Sequence, residues 1–280
     1  MKKNIIYVMS DVRSGSTLLE NILSSAPNML SVGELHHLDS HLYKGKWGRT
    51  WNWTCSCGKS IKNCNFWNKV IRKLGNRNIK ITQTSINLIN KDNSIVKANN
   101  LEVINKIDDI YDAIFEENNA NIIVDSSKNI AHGKLLYDNS KYNILIIYLK
   151  RDIRAVTISK NKWEKKFNHK EKGIFHILLR TKIYDIKLKK ALKSIDPKHL
   201  IEINYEELAK KPQQTIRKIV QKFDFPSFDV SEYMDTSSSH TIGGTPSRFE
   251  KSPIKYDDKW EKISKRKPVF HVVGKLMDLL

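Results

Sequence analysis

The chain has 280 residues, 40% of them hydrophobic, which is enough to bury one sizeable core. No apolar run is long enough to span a bilayer, and IIYVM after the first lysines is too short for a signal-peptide core, so a cytoplasmic protein is expected. The net charge of +19 and a pI near 9.7 attract polyanions: nucleic acid, an anionic membrane surface or a highly phosphorylated small ligand.

The charge excess is scattered through 160–172, 187–193 and 251–267 rather than set in one stripe, and a chain rich in Lys, Asn and Ile carries such an excess without any function. In chain order, Ile5 to Met9 reads as a buried strand, and TLLENILSS as a helix stopping before Pro27. From Lys44 to Ser94 the pattern breaks down, and this stretch holds Trp47, Trp51, Trp53 and Trp67 with all three cysteines, an irregular lobe inserted at 44–94 of a single 1–280 domain. Apolar residues from Leu101 to Phe115 recur at helical spacing. Asn121 to Asp125, Asn143 to Leu149 and Leu200 to Tyr205 read as further strands, separated by helices that include Ile174 to Leu192. Pro212 opens the second part of a helical stretch, and the tail from Ser231 has loop composition. Strands alternating with helices predict an α/β fold with a parallel sheet covered on both faces.

The segment SDVRSGSTLL follows the first strand and opens the first helix, the arrangement that aims backbone N–H groups at an anion. Against the nucleotide pattern GxxxxGK[ST], Gly15 and Thr17 fit, but Ser10 replaces the first glycine and Ser16 replaces the lysine. The anion nest survives without the magnesium-anchoring pair, and a cation stands instead at Arg13. Arg151 and Ser159 lie eight residues apart after the strand ending at Leu149. On a helix that is about two turns, so a guanidinium fork and a hydroxyl can grip one phosphate monoester.

At these residues the sequence resembles the sulfotransferases that use 3′-phosphoadenosine 5′-phosphosulfate (PAPS), in their bacterial and carbohydrate-type branch. RSGSTLL is similar to the 5′-phosphosulfate loop and LKRDIRAVTIS to the 3′-phosphate element. VGEL, CSCGKSIKNCNFW, VDSSK, INYEELAKKP and HTIGGTPSRF resemble further family segments, spread over most of the chain. The resemblance implies a P-loop-kinase-like sheet and an enzyme that moves a sulfuryl group in line from PAPS to a hydroxyl of a carbohydrate, lipid headgroup or small molecule. PAP is then the product, and no metal is required. It assigns the 5′ end to Arg13, Ser14, Gly15, Ser16 and Thr17, and the 3′-phosphate to Arg151 and Ser159. Gly243, Gly244 and Arg248 would close over the nucleotide, although Gly244 stands where an Asn is frequent. Tyr205 is a nucleotide-pocket candidate and equally a core tyrosine. Glu34 is the expected catalytic base, and Lys128 either steadies the sulfuryl group or pairs with Asp125.

His36, His37, Asp39 and His41 invite a metal reading, but adjacent histidines point apart on a regular element, so they are read as a polar loop lining an acceptor cleft. Cys55, Cys57 and Cys64 supply three of four zinc ligands at a spacing that is not the usual one; free thiols or a redox-labile pair are favoured, and no metal site is expected. The lobe's tryptophans are core or platforms that shape acceptor choice. Two alternatives stand beside this reading: a small-molecule P-loop kinase, and a non-enzymatic polyanion or nucleic-acid binder. Specific nucleic-acid recognition is not expected, contact with an anionic membrane is an option, and the oligomeric state is open.

Overall fold

The computed structural model describes residues 3–42, 54–79, 81, 100–166, 173–230, 233–234, 239–249 and 252–279. Five strands form one parallel sheet: β1 (Asn4–Met9), β2 (Met29–Gly33), β3 (Ile122–Asp125), β4 (Asn143–Lys150) and β5 (Leu200–Asn204), in the order β2-β3-β1-β4-β5. β1 lies at the centre, with Asn4 to Tyr7 beside Ile122 to Asp125 on one side and Asn4 to Met9 beside Asn143 to Tyr148 on the other.

Both faces of the sheet are covered, which is why β1 and β4 read as continuous apolar runs. Ile5, Tyr7 and Met9 enter one core, while Ile6 and Val8 enter the other, as the two-residue period of a strand dictates. The covering helices are α1 (Ser16–Ser24), α2 (Leu38–Leu42), α3 (Asn65–Asn76), α4 (Asn100–Glu117), α5 (Ile130–Asn139), α6 (Ile153–Lys166), α7 (Ile174–Leu192), α8 (Tyr205–Lys210) and α9 (Pro212–Phe223). A two-stranded antiparallel pair, β6 (Tyr233–Met234) with β7 (Ser252–Pro253), precedes α10 (Lys259–Lys265) and α11 (Pro268–Leu279).

Two sequence expectations change. The tail is not all loop, because it ends in α10 and α11. These pack on α6 through Ile153, Ala155, Ile158, Trp260 and Phe270, and Pro268 opens α11 where a missing N–H costs nothing. An edge strand, β2, sits between α1 and the Glu34 segment; its five residues are too few to show a period. Of the 44–94 lobe, the described part holds a short hairpin bridge, Thr54 with Ser60, and the α3 helix, whose Trp67 is fully buried. Trp47, Trp51 and Trp53 lie outside the described residues, as do 82–99, so the acceptor-shaping expectation has no structural account there.

The topology decides where a ligand goes. From β1 the chain moves outward to β2, and from β3 it crosses back through α5 to β4 on the other side of β1. The carboxyl ends of β1 and β4 therefore flank the point where the strand order reverses, where open α/β sheets place ligands.

Candidate active site

The loop from Ser10 to Gly15 leaves β1 and turns sharply into α1. Arg13 has φ 72° and Gly15 φ 95°, and Gly15 caps the helix in the left-handed conformation. A Cβ at Gly15 would also run into the Tyr205 ring, so the position tolerates only glycine on two counts. Ser14, Ser16 and Thr17 are buried at the N-terminus of α1, where backbone N–H groups and the helix dipole favour an anion.

Arg13, Arg151, Ser159 and Tyr205 converge on this loop. Arg13 Nε donates to Ser159 Oγ at 2.9 Å, and an Arg151 terminal nitrogen donates to the Arg13 carbonyl at 3.1 Å. Arg151 lies over the Tyr205 ring, 4.2 Å from its centroid, and Arg13 lies over Trp163 at 5.1 Å. The expected Arg151–Ser159 grip is thus one cationic cluster with Arg13 at its centre. Its charge is poorly balanced. Arg151 has one carboxylate, the largely exposed Asp257, at 3.7 Å, and among the described residues none lies within ion-pair distance of Arg13. Arg151 Nε is buried with no hydrogen-bond partner among the described residues. Burial, and then the Arg151 charge, pull the Arg13 pKa down, the signature of two cations held together without their anion.

The second cluster lies one loop away, after β2 and β3. Lys128, in the left-handed region at φ 63°, donates to Glu34 Oε1 and to the Ser126 carbonyl, each at 2.8 Å. Lys128 therefore forms its ion pair with Glu34, while Asp125 is held by Ser127 and Tyr111. Gly244 N–H also donates to Glu34 Oε1, at 3.1 Å. Burial pushes the Glu34 carboxyl up, but Lys128 and the nearby histidines outweigh it and hold the carboxyl below its usual value. Both donors use Oε1, which leaves Oε2 to accept a proton.

Glu20, which sequence reasoning missed, completes this cluster: it is buried on α1, accepts from the Ser126 hydroxyl, and feels Lys128 and Arg248. A glutamate on the buried face of a short amphipathic helix was the available signal.

Gly243, Gly244 and Arg248 lie between the first loop and Glu34. Both glycines have positive φ; a Cβ on Gly243 would lie 2.8 to 3.1 Å from the Glu34 side chain, and one on Gly244 would lie 3.4 Å from the Thr17 hydroxyl. Arg248 is fully buried and donates to the Thr54 carbonyl at 2.6 Å, beside Gly244 and facing the Glu20 and Glu34 carboxylates. It fastens the tail to the Glu34 side of the loop.

The histidines also depart from expectation. His36 and His37 lie in the 3-10 turn Leu35–His37, yet their rings swing together, with centroids 3.6 Å apart and planes 37° apart. His41 and His132 complete the group, with His37–His41 at 6.4 Å and His36–His132 at 6.2 Å. Burial holds His36 well below the usual imidazole range and His132 down to about 3, so both rings are neutral near pH 7. His36 Nδ1 and His132 Nε2 have no hydrogen-bond partner among the described residues.

The parallel sheet has the P-loop-kinase-like strand order, and it carries at its carboxyl ends a loop opening a helix, a twin-arginine cluster and a buried carboxylate–lysine pair. The family model described as the Sulfotransferase family matches residues 6–229, and the chain belongs to that family. Comparison with curated proteins finds no match. Among solved structures, the chain is similar to the sulfotransferase domain from the curacin biosynthetic pathway, at 17% identity and a TM-score of 0.59, covering 98% of this chain and 97% of that one. It is also similar to the sulfotransferase domain of the Synechococcus PCC 7002 olefin synthase, at 20% identity and a TM-score of 0.50, covering 81% and 75%. These likenesses carry the fold; membership of the family selects sulfuryl transfer over the kinase alternative.

Proposed function

We propose that this chain is a PAPS-dependent sulfotransferase of the cytoplasm, acting on a hydroxyl of a carbohydrate, lipid headgroup or small molecule. The observation that supports it most is the Arg13–Arg151–Ser159 cluster, whose guanidiniums have among the described residues only the largely exposed Asp257 carboxylate at 3.7 Å, and whose Arg151 Nε is buried without a partner among those residues. Such a cluster at a helix N-terminus fits a ligand with phosphate groups at two positions. PAPS, when bound, supplies the sulfuryl group and a phosphate leaving group. The N–H groups of Ser14 to Thr17 and the Arg13 guanidinium hold the 5′ end and oppose the charge that develops on the leaving oxygen. Arg151 and Ser159 hold the 3′-phosphate, and Tyr205 borders the nucleotide.

Glu34 takes the proton of the acceptor hydroxyl at Oε2, while Lys128 and Gly244 N–H fix the other oxygen. Lys128 is a positioning residue in this reading and faces the transferring group. The unpartnered nitrogens of His36 and His132 give acceptor hydroxyls two further points of attachment. The reading requires no magnesium, as the resemblance to PAPS-using enzymes implies; the lysine that meets nucleotide phosphates is replaced by Ser16, with Arg13 supplying the cation.

The experiment is transfer of labelled sulfate from PAPS into carbohydrate, lipid and small-alcohol acceptor pools, with and without Mg²⁺. Labelled product independent of Mg²⁺ is expected. Failure to bind PAP in calorimetry overturns the donor assignment, whereas PAP binding without labelled product in any pool overturns the acceptor class.

A further inference from the structure

Three cysteines close in sequence gather around a histidine far along the chain. Cys55 and Cys64 are fully buried, and Cys57 and His240 are partly so. The sulfurs of Cys55 and Cys64 are 3.6 Å apart, and His240 Nδ1 lies 3.6 Å from the first and 3.3 Å from the second. With Cys57 included, one ligand atom from each of the four residues lies within 4.8 Å of every other. A tetrahedral zinc bound about 2.3 Å from sulfur and about 2.0 Å from nitrogen sets its ligand atoms about 3.5 to 3.8 Å apart. The atoms of Cys55, Cys64 and His240 already stand close to that figure, and the Cys57 sulfur lies within 4.8 Å of each of them.

The surroundings are built for metal-bound thiolates. The Cys57 N–H bonds to the Cys55 sulfur, and the Trp67 N–H bonds to the Cys64 sulfur, so backbone donors point at atoms that would carry charge. Gly58, at φ 82°, turns the chain so that its N–H closes on the Cys55 carbonyl at 2.9 Å, which brings the two sulfurs of a C-x-C pair to one side. The His240 ring stacks on Phe66, with centroids 4.9 Å apart and planes 7° apart, and the His240 carbonyl accepts from Trp67 Nε1 at 2.7 Å. Those contacts fix the imidazole with Nδ1 toward the sulfurs. Three thiolates and a neutral imidazole around a divalent ion leave one negative charge. The Arg248 guanidinium, which faces Glu20 and Glu34, also lies near Cys55 and bonds to the carbonyl of Thr54 beside it.

We propose that Cys55, Cys57, Cys64 and His240 bind one structural zinc ion that fastens the C-terminal loop to the hairpin before α3. With no coordination position left for water, the ion takes no part in chemistry. It departs from the expectation of free thiols, and it does not depend on which group the enzyme transfers. The loop it would fasten continues through Thr241 and Ile242, whose neighbours are Ser56 and Gly33, to Gly244 on Glu34.

Elemental analysis of the purified full chain tests the proposal, with about one zinc per chain expected. Cobalt substitution should give the intense visible bands of a tetrahedral site and a thiolate charge-transfer band. Cys64→Ser and His240→Asn should each lower retained zinc at least about tenfold. Should either variant fail to fold, the wild type supplies the second measurement: deuterium uptake across 239–249 should rise on chelation and return on adding Zn²⁺. A reduced chain that neither carries nor takes up zinc overturns the proposal. So does a Cys55–Cys64 disulfide in the chain as first isolated, or deuterium uptake unmoved by chelation.

Discussion

The two charged clusters of the site are built on opposite principles. Among the described residues around Arg13 and Arg151 the cations outnumber the carboxylates: a hydroxyl, a carbonyl and two aromatic faces receive the guanidiniums, and the carboxylate within ion-pair distance is largely exposed. Around Glu34 the charges are matched inside the protein, with Lys128 on Glu34 and Arg248 facing Glu20. Buried charge without a partner is costly, so under the proposed function the first arrangement is the one an outside anion would complete. The second holds a carboxylate in one place with one oxygen tied down, which suits a proton acceptor under the same proposal. The difference teaches that, on that proposal, binding and proton transfer divide along charge balance.

The largest effect that would sharpen this contrast is in turnover. Glu34→Gln keeps the size and removes the basicity, so kcat should fall by about 10² or more, with PAP affinity preserved in calorimetry. His36→Asn and His37→Asn should do less. Near-normal turnover by Glu34→Gln with collapse in either histidine variant would move the base to that ring. The pH profile gives an independent check, because a base must be deprotonated. Against burial, Lys128 holds the Glu34 carboxyl below its usual range, and burial lowers the His37 imidazole. Loss of kcat/KM only as pH falls to or below the carboxylate range supports Glu34; loss that begins above the carboxylate range points to His37.

Next in size is the unbalanced cluster. Arg151→Ala removes charge-assisted bonds of about 1.5–3 kcal/mol each, so PAP should bind roughly ten- to a hundredfold more weakly while AMP changes little. Equal affinity of the wild type for PAP and AMP would break the contrast outright. Gly15→Ala should also lose PAP binding, since φ 95° and the Tyr205 ring both oppose a side chain there; unchanged affinity would show that the loop relaxes.

The smallest effect is on stability. His132 is pushed from 6.5 down to about 3, so between those values the unfolded chain binds a proton that the folded one refuses. Stability from this group is full above about pH 6.5 and is lost as pH falls toward 3, with a slope of up to about 1.4 kcal/mol per pH unit. Denaturant titrations of wild type and His132→Asn at pH 7 and pH 5 should show a shallower acid loss in the variant.

The first cluster was legible in the sequence because its parts are local. Ser14 to Thr17 follow a strand and open a helix, and Arg151 and Ser159 sit on one β–α unit, so period and spacing are enough. The parallel sheet was legible for the same reason. What escaped depends on distance along the chain. Gly243 and Gly244 were read toward a nucleotide; only the bridge from Ile242 to Gly33 shows that Gly243 also presses on Glu34, while Gly244 lies beside Thr17 of the first loop. His240 stands 176 residues beyond Cys64, so no local spacing rule could join it to the cysteines. Lys128 was singled out with Asp125, three residues away, as one partner, yet it pairs with Glu34, 94 residues away. Glu20 carries no motif at all; burial alone marks it.

The Ile242 bridge has a consequence for how the enzyme is made. Ile242 accepts the Glu34 N–H at 2.7 Å and donates to the Val32 carbonyl at 3.0 Å, so it extends the sheet beyond its β2 edge. A ribosome releases the β1 loop, β3, β4 and the Ser159 turn long before it releases residue 242. The nascent chain can therefore assemble its anion loop while still tethered, and Lys128 can already pair with Glu34, but the Gly244 N–H that also holds Oε1 arrives only when the tail returns across 210 residues. Closing so long a loop adds little entropy cost over a shorter one. The order of synthesis thus builds the anion loop first and completes the donors on Glu34 only after residue 244 has emerged.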